Sequence, residues 1–314
     1  MAVTEERSTV ATAPELASPE FERLMRAATN ASVATAGLLV VVKLAAYVMT
    51  DSVSMLSTLL DSLLDVAASM VNLLAVRHAL TPADREHRFG HGKAEPLAGL
   101  AQAAFIAGSA MFLLFQASHR LVNPQPLRNT GIGVAVMLFS IVATLLLVGY
   151  QRYVIRRTGS VAIRADSLHY VGDVLVNASV IVALALVAWF GWRLADPLFG
   201  IGIGFYILYN SWQIARGALD MLMDRELPDG ERSRIRAIAL LHPAVRDVHD
   251  LRTRGAGPTR FIQLHLEMDG AMSLYSAHAV ADAVEAEIRG AFPGAEVMIH
   301  QDPAGLAEPR PGVG

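Results

Sequence analysis

Six stretches of the chain run about 20 residues with few polar interruptions, the length a helix needs to cross a bilayer core. They cover 29–49, 52–76, 95–119, 131–151, 166–190 and 196–216. The fourth, GIGVAVMLFSIVATLLLVGY, carries no charge and predicts a lipid-facing helix. Proline interrupts the pattern at Thr81-Pro82, Asn123-Pro124-Gln125-Pro126 and Asp196-Pro197, where a helix cannot continue undisturbed. Past Leu222 the pattern changes. LPDGERSRIRAIALL and SLYSAHAVADAVEAEIRGAF read as helices, and DVHDLRTR, RFIQLHLEM and AEVMIH as strands. In RFIQLHLEM, Ile262, Leu264, Leu266 and Met268 alternate with Gln263, His265 and Glu267, the period of a strand with one buried face. The expected fold is a membrane α-helical domain of six transmembrane helices followed by an α/β domain. Its α-β-β-α-β order suggests a ferredoxin-like or related layer fold. The expected boundaries are a tail over 1–28, the six-helix domain over 29–222, the α/β domain over 223–303 and a second tail over 304–314.

Composition supports the bilayer. Of 314 residues, 53% are hydrophobic and only 18% charged, against about 25% charged in an ordinary soluble domain. A net charge of −3 selects neither nucleic acid nor a charged membrane surface as partner. There is no cysteine, so disulfides and thiolate ligation are excluded and any metal chemistry falls to His, Asp and Glu. The N-terminus is polar, with no apolar run of the secretory kind, and no cleaved signal is expected. Basic residues crowd one set of span ends: Arg23, Arg26, Arg77, Arg85, Arg88, Lys93, Arg152, Arg156, Arg157 and Arg164. The other set holds Arg120, Arg128 and Arg193. The richer side is expected to be cytoplasmic, with both termini inside. That asymmetry and the missing signal suit a bacterial inner membrane.

Two spans hold acids where hydrocarbon should be. LLDSLLD in the second places Asp61 and Asp65 four residues apart, on one helix face. ADSLHYVGD in the fifth repeats the spacing with His169 and Asp173. Two such helices can converge on a four-donor site of three oxygens and one nitrogen, the number tetrahedral Zn²⁺ takes. A single Asp at a helix centre costs about 2.5–3.5 kcal/mol on insertion scales. Three acids therefore demand neutralisation, by a divalent cation or by protons. Imidazole has an ordinary pKa of about 6.5, so metal and proton would compete for His169 near neutral pH. That competition is the basis of an antiport.

With these strings in view, the chain resembles the cation diffusion facilitator family, in its bacterial zinc and ferrous-iron efflux type. The resemblance runs from about residue 29 to 303. It rests on SVSMLSTLLDSLLD, PADREHRFGHGKAEPLAGLAQA, RADSLHYVGDVLVN, HDLRTRGAGPTRFIQLHLEM and IHQDP. It implies a homodimer of six-helix chains, each with a cytoplasmic metallochaperone-like domain. It implies that Asp61, Asp65, His169 and Asp173 form the transport site. A loop site at Asp84, His87 and His91 follows, although Arg85 stands where relatives can carry another acid. The resemblance also implies a structural metal cluster at His249, His265, His278, His300 and Asp302, with Gln301 assisting, which braces the dimer. Lys93 and Asp224 would form an ion pair. The short basic loop QRYVIRRTGSVAIR leaves no room for a His-rich metal trap.

The function expected is a proton-coupled antiporter exporting divalent transition metals, Zn²⁺ foremost and Fe²⁺ or Cd²⁺ besides. Its partners are a second copy, metal ions, protons and lipid, with no nucleic acid. Two alternatives compete with it: a metal-binding membrane sensor and an intramembrane metal-dependent hydrolase. H-E-x-x-H and G-x-S-x-G are both missing, and no enzyme is expected. A donor set of one nitrogen and three oxygens suits Zn²⁺, Cd²⁺ or Fe²⁺ better than Mn²⁺.

Overall fold

The computed structural model describes residues 19–51, 53–122, 131–192, 194–257 and 259–305. The expected extreme tails, the break at Asn123-Pro124-Gln125-Pro126, and Arg128 and Arg193 lie outside the described residues. Six long helices come first: α1 (Pro19–Thr50), α2 (Val53–Ala79), α3 (Ala94–Val122), α4 (Gly131–Thr158), α5 (Val161–Phe190) and α6 (Ala195–Leu222). Helices α1 to α5 are long and apolar enough to cross a membrane, α2 counted from Thr58. α6 is as long, at 28 residues. Its four glycines, with Asn210 and Gln213, dilute its apolar content, so it completes the bundle through packing along α3.

α1 starts well before its apolar run. Pro19 opens it and Glu20 and Glu22 occupy its first turn, which suits the helix start sterically and electrostatically. Met25 and Ala28 are buried with Val76, Leu80, Ala98, Val154, Ala162 and Ile163. The tail expected over 1–28 is therefore helix from Pro19 onward, and its inner face belongs to the core.

Small residues set the helix seams. A Cβ built on Gly204 of α6 would lie 2.7 Å from Leu114 Cγ and Cδ2, and one on Gly200 would lie 3.0 Å from Ala117 Cβ. One turn apart on the same face, these glycines let α3 and α6 approach closely. The outer faces keep large apolar side chains exposed, among them Val41, Val48, Phe115, Leu146 and Trp212. Contiguous exposed hydrocarbon of this kind fits a lipid environment. α5 ends at Gly191, whose φ of 67° allows its N–H to donate back to Val187. Trp189, Phe190 and Trp192 stand exposed at that end, as interfacial aromatics do.

Contacts divide the chain between Arg225 and Glu226. The second unit holds α7 (Asp229–Leu240), β1 (Asp247–Ala256), β2 (Thr259–Met268), α8 (Leu274–Ala291) and β3 (Ala295–Pro303). The sheet order is β1-β2-β3, with β2 and β3 parallel. A parallel pair needs a crossover, which α8 supplies. Ser273 starts α8 by accepting the N–H of Ser276 at 3.1 Å. Ile262, Leu264, Leu266 and Met268 are buried with Ile235, Val280, Val284, Ile288 and Val297. The alternation read in β2 is thus the division between its core face and its open face.

Candidate metal centres

The first cluster lies between α2 and α5. His169 is buried, and its Nε2 stands 2.9 Å from Asp65 Oδ1 and 3.8 Å from Asp173 Oδ2. One donor atom from each of the three lies within 4.8 Å of the others, close enough to share one cation. The i, i+4 spacing on α5 aims His169 and Asp173 at the same point, and α2 brings Asp65 to it. Asp61 does not join. It stands exposed one turn earlier on α2, outside the cluster. Nearby, Lys43 Nζ donates to Ser62 Oγ at 2.6 Å. Asn177 spends its amide on the Asp173 carbonyl at 2.8 Å, so it leaves the carboxylates to other partners.

The second cluster, Asp84, His87 and His91, precedes α3 and converges as expected. The backbone turns about Asp84, whose Oδ1 accepts the N–H of His87 at 2.6 Å and of Glu86 at 2.9 Å. Those bonds, the one from His87 first, hold the Asp84 carboxyl below its usual range. His87 Nδ1 and His91 Nε2 each lie 3.3 Å from the carboxylate. His91 is buried and its Nδ1 sits 3.3 Å from the Thr81 carbonyl. A third ring, His78 at the end of α2, meets His91 edge-on with centroids 4.6 Å apart. The sequence reading missed it, because the stretch between them hides the contact.

The third cluster is written by the sheet. Register pairs His265 with His300 and Glu267 with Asp302. Asp302, only 6% exposed, is the hub. Its Oδ2 lies 2.8 Å from His265 Nδ1 and 3.2 Å from His249 Nε2, while its Oδ1 lies 3.1 Å from His300 Nε2. His249, His265 and Asp302 meet the spacing for one cation. His249 Nδ1 is buried, and its contact with the Glu267 carboxylate falls short of a well-formed hydrogen bond. His278 is not brought in; it stands exposed on α8, with Nε2 3.5 Å from Asp282. Gln301 alternates away from His300 and Asp302 along the strand. Two acids were missed. Glu267 Oε1 lies 3.2 Å from His249 Nδ1, and Asp250 Oδ2 lies 3.7 Å from His265 Nε2. Glu267 shares the open-face parity of His265, a signal already present in the alternation. Asp250 adopts a left-handed φ of 45° inside β1, conformational strain of a kind that collects at functional sites.

Lys93 and Asp224 do pair, Nζ to Oδ1 at 3.0 Å, and Lys93 also donates to the Leu222 carbonyl at 3.4 Å.

Comparison with known proteins identifies the family. The family model for the cation efflux transmembrane domain matches residues 30–223, and that for the cation efflux protein cytoplasmic domain matches 227–304. The cation-efflux pump FieF of Serratia proteamaculans (strain 568) is 51% identical over 288 residues, 92% of this chain and 96% of its own. FieF of Klebsiella pneumoniae is 52% identical over 286 residues, 91% of this chain and 95% of its own. The metal-bound C-terminal domain of the CzcD transporter from Thermotoga maritima is 31% identical. That match covers 25% of this chain and 93% of its own, with a TM-score of 0.25, too low to bear on the fold. Matched over nearly its whole length and about half identical to cation-efflux pumps, the chain belongs to the cation diffusion facilitator, or cation efflux, family.

Proposed function

We propose that this chain exports divalent transition-metal cations from the cytoplasm in exchange for protons, by alternating access. Zn²⁺ is the foremost substrate, with Fe²⁺ or Cd²⁺ besides. The observation that carries the reading is the Asp65–His169–Asp173 cluster, two acids and an imidazole gathered on two helices long and apolar enough to span a bilayer. Acids at such depth are costly unless a cation or protons compensate them. Metal arriving from the cytoplasm displaces protons from the cluster, because carboxylates and imidazole bind metal only when deprotonated. Once the site faces the other side, protons displace the metal. Asp61, one turn along α2, swings in as the fourth donor.

The loop cluster at Asp84, His87 and His91 collects metal ahead of the membrane site. The cluster around Asp302 holds a resident metal that braces a homodimer. In that dimer His278 joins from α8. The Lys93–Asp224 pair fixes the end of α6 beside the start of α3. The excess of basic residues at one set of span ends supports a multi-pass protein of a bacterial inner membrane with both termini on the cytoplasmic side. Metal flux into inside-out vesicles under an imposed proton gradient tests the reading. Export predicts accumulation that collapses when the gradient is dissipated, whereas binding without flux would identify a sensor.

A further inference from the structure

Asp166 is a buried acid that none of the metal clusters uses. It stands one turn before His169 on α5 and is 1% exposed. Three helices meet at its carboxyl. Oδ2 lies 2.5 Å from Ser32 Oγ of α1 and 2.7 Å from Gln151 Nε2 of α4. The same Gln151 nitrogen donates to Ser32 Oγ at 3.0 Å, and Ser32 Oγ lies 3.1 Å from the Ala28 carbonyl. Asp166 Oδ1 is buried with no hydrogen-bond partner.

The protons can be counted. Ser32 has one hydroxyl proton and Gln151 two amide protons. Gln151 spends its pair on Ser32 Oγ and Asp166 Oδ2. If Asp166 were ionised, Oδ1 would share a full negative charge in a dry interior with no donor, the costliest arrangement for a polar group. If Oδ2 carries a proton, it donates to Ser32 Oγ, and the Ser32 hydroxyl in turn donates a hydrogen bond to the Ala28 carbonyl. Every proton then has an acceptor, and Oδ1 is an uncharged carbonyl oxygen.

The surroundings agree. The titratable groups facing Asp166 are His169 and Tyr170 of its own helix and Asp65 of α2. α1 and α4 contribute the neutral Ser32 and Gln151. The one acid of α3, Glu95, is engaged by the Val161 N–H at 2.9 Å. α6 carries its charges only near its two ends.

We propose that Asp166 is a proton-binding site of the transport cycle, distinct from the metal ligands. It holds a proton while α1, α4 and α5 are packed together, and releases it when α1 draws away from α5. In that step the O–H bond breaks heterolytically, the electron pair stays on Oδ2, and the proton passes to water admitted at the joint. The inference rests on the proposed metal–proton exchange, and it adds a proton that metal does not displace by direct contact.

Infrared difference spectroscopy on the purified full chain tests it. A carbonyl band of a protonated carboxylic acid should be present at neutral pH, lost in Asp166→Asn, and diminished when saturating Zn²⁺ drives the cycle. Ser32→Ala, which keeps the acid and removes its acceptor, should shift that band; this keeps the test open if Asp166→Asn does not insert. In vesicles, Asp166→Asn should lose part of the pH dependence of flux while retaining metal binding. A wild-type spectrum without the band, or a band unmoved by Zn²⁺, overturns the proposal. Failure of the export reading is separately visible: flux would then survive Asp65→Asn whatever the Asp166 band does.

Discussion

A Cβ at Gly204 meets Leu114 at 2.7 Å, whereas one at Gly202, on the other side of α6, meets nothing within 4 Å. Alanine at these two positions therefore isolates the α3–α6 seam. In a helix, replacing glycine by alanine gains about 0.8–1 kcal/mol. Gly202→Ala should show that gain unopposed. At Gly204 the new methyl must also find room. Carbon atoms rest about 3.5–4.0 Å apart, so the overlap with Leu114 is roughly 1 Å. Overpacking of that kind costs about 1–3 kcal/mol. The helix gain cancels between the two variants, and their difference is the seam term alone, about 1–3 kcal/mol. For a unit of this size each kcal/mol moves the melting midpoint by roughly 2–4 °C. Thermal unfolding of the purified full chain in mild detergent, followed by tryptophan fluorescence, reads the difference. If the two variants melt together, or Gly204→Ala is the more stable, the close approach of α3 and α6 is refuted.

Asp65→Ala, Asp173→Ala and Asp61→Ala should each stop metal flux while leaving an inserted protein; wild-type flux from Asp61→Ala would remove it from the donor set. His169→Asp makes the membrane site all-oxygen and should raise tolerance of Mn²⁺ relative to Zn²⁺, so an unchanged ratio in competition assays would count against the assignment. Replacing His249 and His265 together should strip metal from the cytoplasmic cluster, measured by elemental analysis, yet leave residual proton-dependent flux. Asp84 should titrate below its ordinary 3.8, because the backbone N–H groups of the turn favour its charged form. With a depressed folded value, its contribution to loop order is present above the ordinary range and lost as pH falls through the folded midpoint. Carbon-detected NMR of the Asp84 carboxyl checks this, and a midpoint at or above 3.8 would contradict it.

Local periodicity made much of this molecule readable. The apolar runs located α1 to α5, and the period-2 alternation of β2 sorted Ile262 and Leu264 from His265 before any contact was known. Spacing of four put Asp61 and Asp65 on one face, but it cannot say which turn of α2 meets α5. Only helix packing decides that, and it selects Asp65 over Asp61. For the same reason the α8 reading included His278, although the helix leaves it beside Asp282. His78 and Asp250 were hidden because their partners arrive through a loop and a neighbouring strand. The start of α1 reads as tail in the sequence because its polar face dominates the composition, while Met25 and Ala28, with the partly buried Phe21 and Leu24, carry its packing. Asp166 escaped notice because a lone acid near a span end looks interfacial until its burial is seen.

The parallel register of β2 and β3 has a consequence for how the second unit matures. His265 faces His300 and Glu267 faces Asp302 only in this alignment. Slipping one strand by a single residue would turn Asp302 toward the opposite face and bring Gln301 in its place. The three imidazoles would lose their shared carboxylate. Pairing β2 with β3 also waits for α8 to cross between them, a non-local closure of the kind that forms slowly. A metal that needs His249, His265 and Asp302 together can therefore bind tightly only after the correct alignment has formed. On the proposed reading of this cluster as a metal site, cation capture would act as a proofreading step at the end of folding, locking the one strand alignment that assembles its ligands.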